Sequence, residues 1–277
     1  MRLRRRRQRP LPHRRHVHRP REDEDERRGA LKIATWNVNG LRARQAQLEA
    51  WLAETQPDVL CLQEIKASPA QLGLLADIAG YHCYWHGDKG YSGVALLVSE
   101  RVAPDCPSYV VPPFDFEARI VTARLPQLAV ASVYVPNGGK DFEAKLRFLG
   151  DLEAFAASHA RDGIPLVICG DLNVARTDAD IHPKERKLNQ IGARPDERAQ
   201  FERVISHDLI DVQRTLNPDA TDLFTWWPPW RDLRKKNVGW RIDYVLASTS
   251  LHARTTSCIV EREVGTSDHA PVTWTFA

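Results

Sequence analysis

The sequence predicts an α/β fold in which helices cover a central layer of strands. Short, β-branched apolar runs recur along the chain, and segments of helical spacing interrupt them. Polar residues collect where these runs stop: Asn37, Glu64, Tyr134 to Asn137, Asp171 with Asn173, Asp243, and Asp268 with His269. Separate strands that each deliver a polar end to one rim build a site. Unrelated surface turns would not need Gln63-Glu64 straight after Val59-Leu60-Cys61-Leu62.

Leu31–Trp36 reads as the first strand and ends in Asn37-Val38-Asn39-Gly40. Leu41–Thr55 then puts Leu41, Leu48, Trp51 and Leu52 on one helical face, and Pro57 stops it. Asp58–Leu62 is a short apolar strand, and a second helix is expected over Pro69–Ala79. Strands follow at Tyr81–His86, Gly93–Val98, Arg119–Leu125 and Leu128–Val135; the loop through Lys140 precedes a long helix, Asp141–Ala160. The run from Ile164 to Cys169 has the length and composition of a buried strand, and Gly170 frees the chain to turn before Asp171-Leu172-Asn173. Gly-Asp and Asn also make ordinary turns, so this stretch alone is not a site. Asp180–Asp196 reads as a polar loop, Glu197–Ser206 as a helix and Asp222–Trp240 as a Trp- and Pro-rich loop; Arg241–Leu246 and Ala270–Phe276 close the chain as strands.

At 277 residues and 43% hydrophobic composition the chain can bury a large core. No apolar run reaches about 18 residues, so no transmembrane helix is expected. The formal charge of +3 is unevenly placed: residues 1–29 hold twelve Arg against five Asp and Glu, and the remainder is net acidic. Basicity thus belongs to the tail and says little about the folded part. Residues 1–29 have too few apolar side chains to fold and read as a disordered Arg-rich extension, with a nucleic-acid arm as the rival and a targeting peptide disfavoured by the acidic block Glu22–Glu26. Residues 30–277 read as a single domain. The five cysteines are scattered and form no CxxC pair, which fits a reduced, intracellular setting: cytoplasm or nucleoid if the chain is bacterial.

Glu64, Asp171, Asp243 and Asp268 are the candidate carboxylates. Each alone is more often a cap, a turn or a surface charge. Brought to one rim they repel, so something positive must offset them. Asp, Glu and Asn oxygens suit a hard divalent ion, Mg²⁺ or Mn²⁺, and zinc spacing is absent. Such a metal with open positions suits phosphoryl chemistry. His269 follows a carboxylate at the mouth of the last strand, and Asp243 is available to orient its ring. A Ser-His-Asp acyl-transfer triad is the rival; no GxSxG supports it, and it leaves the other carboxylates unexplained.

Several blocks resemble the exonuclease III family of apurinic/apyrimidinic (AP) endonucleases, within the DNase-I-like superfamily. They are ATWNVNGLRA, LCLQEIK, KGYSGVALL, VYVPNGG, GDLNVA, NVGWRIDY and TSDHAPV, in family order from Ala34 to Val272. The resemblance implies a four-layer α/β sandwich, two mixed β-sheets face to face with helices outside. It implies hydrolysis of duplex DNA 5′ to an abasic sugar, with 3′→5′ exonuclease and 3′-end-cleaning activities, by a protein expected to act as a monomer and away from membranes. Glu64 matches the principal metal carboxylate, with Asn37 beside it, Asn39 close by and Asp268 as a second acid. Asp171 matches the group that activates the attacking water and Asn173 the amide that orients it. Tyr134 and His269 match groups on the phosphate oxygens, and Asp243 the partner that orients the histidine. Arg42, Lys89, Tyr91, Asn137 and Lys140 match DNA-contacting loop positions; Trp226 matches a wall of the abasic-sugar pocket, with Trp240 in a neighbouring block.

Two segments depart from that pattern. Ile181–Lys187 replaces an Asn- and Lys-rich loop, which leaves the balance between AP incision and 3′-end processing open, and Glu117-Ala118-Arg119 replaces Glu-Gly-Arg. Two other functions stay open at this level. One is a superfamily phosphatase or phosphodiesterase for lipid, inositol phosphate or RNA 3′ ends. The other is a catalytically silent DNA-binding module, which the complete set Glu64, Asp171, Asn173, Asp243 and His269 argues against.

Overall fold

The computed structural model describes residues 29–277, so the extension expected over 1–29 lies outside the described residues but for Gly29. In chain order the elements are β1 (Leu31–Asn37), α1 (Leu41–Thr55), β2 (Val59–Gln63), β3 (Tyr81–Asp88), β4 (Tyr91–Ser99), β5 (Ser108–Val110), β6 (Ile120–Arg124), β7 (Ala129–Tyr134), α2 (Phe142–Arg161), β8 (Leu166–Asp171), α3 (Pro195–Ile205), β9 (Leu209–Asp211), α4 (Val212–Leu216), β10 (Asp243–Ser248), α5 (Thr249–His252), β11 (Thr255–Val260) and β12 (Val272–Phe276). They form two six-stranded mixed sheets, ordered β11-β12-β1-β2-β4-β3 and β5-β6-β7-β8-β10-β9. Each sheet has one parallel pair, β1 with β2 and β7 with β8. A parallel pair needs a crossover, and α1 and α2 supply the two.

The period of two along the strands builds the layers. On β1, Ile33 faces the other sheet while Ala34 and Trp36 face α1; on β8, Val167 and Cys169 face the other sheet while Leu166 and Ile168 face the helices. Residues of both sheets meet in one buried cluster that includes Ile33, Cys61, Leu96, Val130, Cys169 and Trp274. Leu41, Leu48, Trp51 and Leu52 of α1 cap the first sheet, and Phe148, Leu149 and Leu152 of α2 with Phe201 of α3 cap the second. Helix, sheet, sheet and helix thus stack as the expected four layers.

The sequence expectation fails at Pro69–Ala79. That stretch forms two short 3₁₀ turns, Pro69–Gln71 and Gly73–Ala76, because Gly73 adopts φ +57° and interrupts any continuous helix. Strands β5, β9 and β11 and helices α4 and α5 were not expected. No helix among the described residues is long and apolar enough to cross a membrane.

Candidate active site

Strand register assembles the site. Parallel pairing sets Tyr134 beside Asp171, and antiparallel pairing sets Asp243 beside Asp171 from the other side. Asn37 pairs with Gln63 at the end of the first sheet's parallel pair, so Glu64 emerges next to it. Gly170 makes the close approach of β7 to β8 possible: a Cβ there would lie 1.8 Å from the carbonyl oxygen of Val133. Glu64, Asn39 and Asn173 adopt φ values of 50°, 44° and 52°, the left-handed conformation that side chains other than Gly hold only when their surroundings fix it.

Glu64, Asp171 and His269 each offer a ligand atom within 4.8 Å of the others. Asn37 sits between the two acids, donating to Glu64 Oε1 at 3.0 Å and to Asp171 Oδ2 at 2.9 Å, while its own oxygen accepts from the backbone N–H of Asn39. Asn37 therefore spaces the carboxylates with its NH₂. Lys66 already brings positive charge: its Nζ lies 2.7 Å from Glu64 Oε2 and donates to Asn39 Oδ1 at 2.6 Å. Burial pushes Glu64 upward, but Asn37 and Lys66 outweigh it and hold the carboxyl below its ordinary value. Asp268 lies beyond Asn39, accepting from Asn39 Nδ2 at 2.8 Å and from the Trp226 indole at 2.9 Å. Burial alone would raise Asp268; His269 and those two donors lower it.

Asp171 is 1% exposed. Burial, reinforced by Asp243 and Glu64 and only partly offset by His269, pushes its carboxyl up to about 8. Its Oδ1 accepts from the backbone N–H of Asn173 at 2.9 Å, and its Oδ2 lies 3.8 Å from His269 Nε2. His269 turns Nδ1 to Asp243, at 3.1 and 2.9 Å from the two oxygens. Burial opposes the imidazolium, yet Asp243 and Asp171 push it up to about 10. A histidine that keeps its proton is a hydrogen-bond donor, so of the three groups Glu64, held below its ordinary value, is the one suited to hold a cation. Thr225 fixes Asp243, donating to Oδ2 at 2.6 Å and accepting from the Ile242 and Asp243 amides.

Tyr134 is half-buried, and burial together with Glu64 and Asp171 keeps its phenol protonated well above the usual range. Arg119 stacks on it, with the guanidinium 4.8 Å from the ring centre, and donates to Tyr91 Oη at 3.1 Å. Asn173 donates to the Val135 carbonyl and accepts from Asn137 at 3.2 Å. Trp226 and Trp240 bond each other through the backbone and pack edge to face at 6.3 Å, and the Trp226 ring lies 6.4 Å from His269. Trp240 joins Ile181, Ala175 and Ile242 in an apolar cluster against which Trp226 packs. Arg42, Lys89, Tyr91, Asn137 and Lys140 are exposed, and among the described contacts Arg42, Lys89 and Lys140 have none that joins them to the acidic cluster. Sequence reasoning missed Lys66, Arg119 and Thr225. Lys66 and Arg119 lay inside or beside recognised blocks, but nothing in their spacing points at the site.

The family model described as the endonuclease/exonuclease/phosphatase family matches residues 34–269. "DNA repair nuclease APEX1" of Danio rerio is 36% identical over 263 residues, covering 90% of this chain and 83% of its own. "Exodeoxyribonuclease" of Bacillus subtilis is 32% identical over 249 residues, covering 87% and 98%. Among solved structures, the 3′ phosphatase NExo from Neisseria, bound to a product DNA hairpin, superposes with a TM-score of 0.79 at 32% identity, covering 89% of this chain and 99% of its own.

Proposed function

Because the chain belongs to the endonuclease/exonuclease/phosphatase family, we propose that it is a Mg²⁺- or Mn²⁺-dependent DNA-repair phosphodiesterase that cuts duplex DNA 5′ to abasic sites and trims 3′ ends. The convergence of Glu64, Asp171 and His269 within 4.8 Å carries this reading. Carboxylate and amide oxygens are the donors that a hard divalent cation takes, so the residues fit such an ion. Glu64 would hold it, with Asn37 beside it, Asn39 close by and Asp268 adding negative charge, while Asp171 faces the site from the second sheet. Such an ion would supply positive charge against the substrate's phosphate and so ease attack on phosphorus.

The chain's own groups do the rest. Asp171, with its raised pKa, takes the proton of the attacking water near neutral pH. Asn173, fixed by Val135 and Asn137, orients that water. His269, held by Asp243 and charged, and the protonated Tyr134 donate to phosphate oxygens as negative charge grows in the transition state. Trp226, backed by the buried Trp240, forms an apolar wall beside His269 suited to a sugar without its base, and an abasic nucleotide has little stacking to lose on extrusion. Arg42, Lys89, Tyr91 and Lys140 position the backbone without reading sequence.

Incubation with a duplex holding one abasic analogue, beside a 3′-recessed duplex and a 3′-phosphate end, tests this. Cleavage 5′ to the analogue with Mg²⁺, abolished by chelator, is expected. Turnover of a lipid headgroup or inositol phosphate with no cut in any DNA would overturn it.

A further inference from the structure

Lys145 and Glu197 are both fully buried and form an ion pair, Nζ to Oε2, of 2.5 Å. Stability alone does not call for such a pair, since apolar residues of similar volume commonly serve as well. The remaining polar atoms give it a use. Lys145, on α2, donates to the carbonyl of Asn173 at 2.7 Å and to that of Asn137 at 3.3 Å. Glu197, on α3, accepts from the backbone N–H groups of Gly192 at 2.6 Å and Arg194 at 2.8 Å. Gly192 in turn lies close against Trp240, which backs Trp226: at φ +91°, a Cβ there would lie 3.0 Å from the Trp240 ring. Its carbonyl accepts from the Ala175 amide at 2.7 Å, which closes the circuit back to the Asn173 strand end. Gly138 completes the enclosure, since a Cβ there would fall 2.9 Å from Lys145 Cδ.

We propose that the Lys145–Glu197 pair is a positioning device that couples Asn173 to the Trp240 ring behind Trp226, so that the water-orienting amide and the sugar-binding face keep one fixed separation. The proposal rests on the role given to Asn173 above. Neither charged residue touches substrate. Turning the Asn173 peptide away would leave a buried ammonium short of an acceptor, and sliding the Gly192 turn off Trp240 would leave a buried carboxylate short of two donors. A displacement of about 1 Å in a positioning group can lower a rate by ~10²-fold.

A double-mutant cycle on kcat for abasic-duplex cleavage tests the coupling, with each variant's folding checked by urea titration. Lys145→Met should lower kcat by ~10–100-fold and change KM less. The Asn173→Ala loss should shrink to within ~3-fold in the Lys145→Met background, because the amide is already misplaced. Glu197→Gln keeps shape and one acceptor oxygen, and it should show the same collapse should Lys145→Met fail to fold. Losses that multiply in a folded double variant, or wild-type kcat in a folded single variant, overturn the proposal. Amide hydrogen exchange separates this from failure of the functional reading. Gly192 and Ala175 should exchange faster in Glu197→Leu, which removes the acceptor of the Gly192 amide, whether or not the chain cuts DNA, and unchanged exchange overturns the coupling. Faster exchange with an Asn173→Ala variant of full activity overturns the role of Asn173 instead.

Discussion

Asp171→Asn should separate activity from stability. The wild-type carboxylate has Asn37 on Oδ2, the Asn173 amide on Oδ1 and His269 at 3.8 Å. The substituted side chain keeps an oxygen for Asn173, but its NH₂ meets the NH₂ of Asn37, donor against donor, at a cost of about 1–3 kcal/mol. Removing the carboxylate works the other way. A carboxyl raised from 3.8 to about 8 binds its proton more tightly when folded, so its contribution to stability falls as pH rises through that window and is lowest above about 8. The slope is at most ~1.4 kcal/mol per pH unit. Urea midpoints in chelator at pH 6 and pH 8.5 should therefore show the variant gaining on wild type as pH rises. Steady-state cleavage of an abasic duplex with Mg²⁺ should show kcat lower by ~10²–10⁴-fold and KM within ~3-fold, the loss expected for a general base. A folded variant with kcat within ~10-fold of wild type, or one that loses ground to wild type as pH rises, would remove Asp171 from the role of base.

Asp243→Asn should move the alkaline limb of the pH–rate profile toward acid, because His269 then loses the carboxylate that helps push its pKa from 6.5 to about 10; the wild-type-to-variant ratio in rate should grow between pH 6 and pH 9, and a flat ratio would contradict the pairing. Gly170→Ala should cost about 3 kcal/mol or more, or prevent folding, since its Cβ would lie 1.8 Å from the Val133 carbonyl; a thermal midpoint within a degree of wild type would count against the register at the site. Trp226→Ala should cut discrimination between abasic and base-bearing nucleotides by ~10-fold or more while leaving 3′-phosphate removal nearly intact; equal losses on every substrate would remove it from the pocket wall.

The strand tips were legible because chemistry and topology coincide there. Asp171, Glu64, Asp243 and His269 each end or begin a run whose apolar pattern announces a strand, and pairing the strands brings them together. What the sequence hid depends on contacts across the fold. Lys145 occupies a helix position where solvent would be the default for a lysine, and only α3 carrying Glu197 explains its burial. Thr225 reads as the start of a loop until Asp243 is placed against it. Strands β5, β9 and β11 are short or lie at sheet edges, where tertiary pairing outweighs local preference. The Trp-rich loop misled in part: Pro228-Pro229 reads as surface, and Trp230 is 57% exposed, but Trp227 is 1% exposed and packs with Phe224 and Ala270.

The central claim is that acids from both sheets gather around one hard cation. Diffraction from crystals soaked in Mn²⁺ tests it most directly through the anomalous signal of the ion. A peak is expected beside the Glu64 carboxylate, within reach of Asp171, that disappears in Glu64→Gln. A peak elsewhere, such as at the buried Asp180 and Asp211, or one indifferent to Glu64, would contradict it.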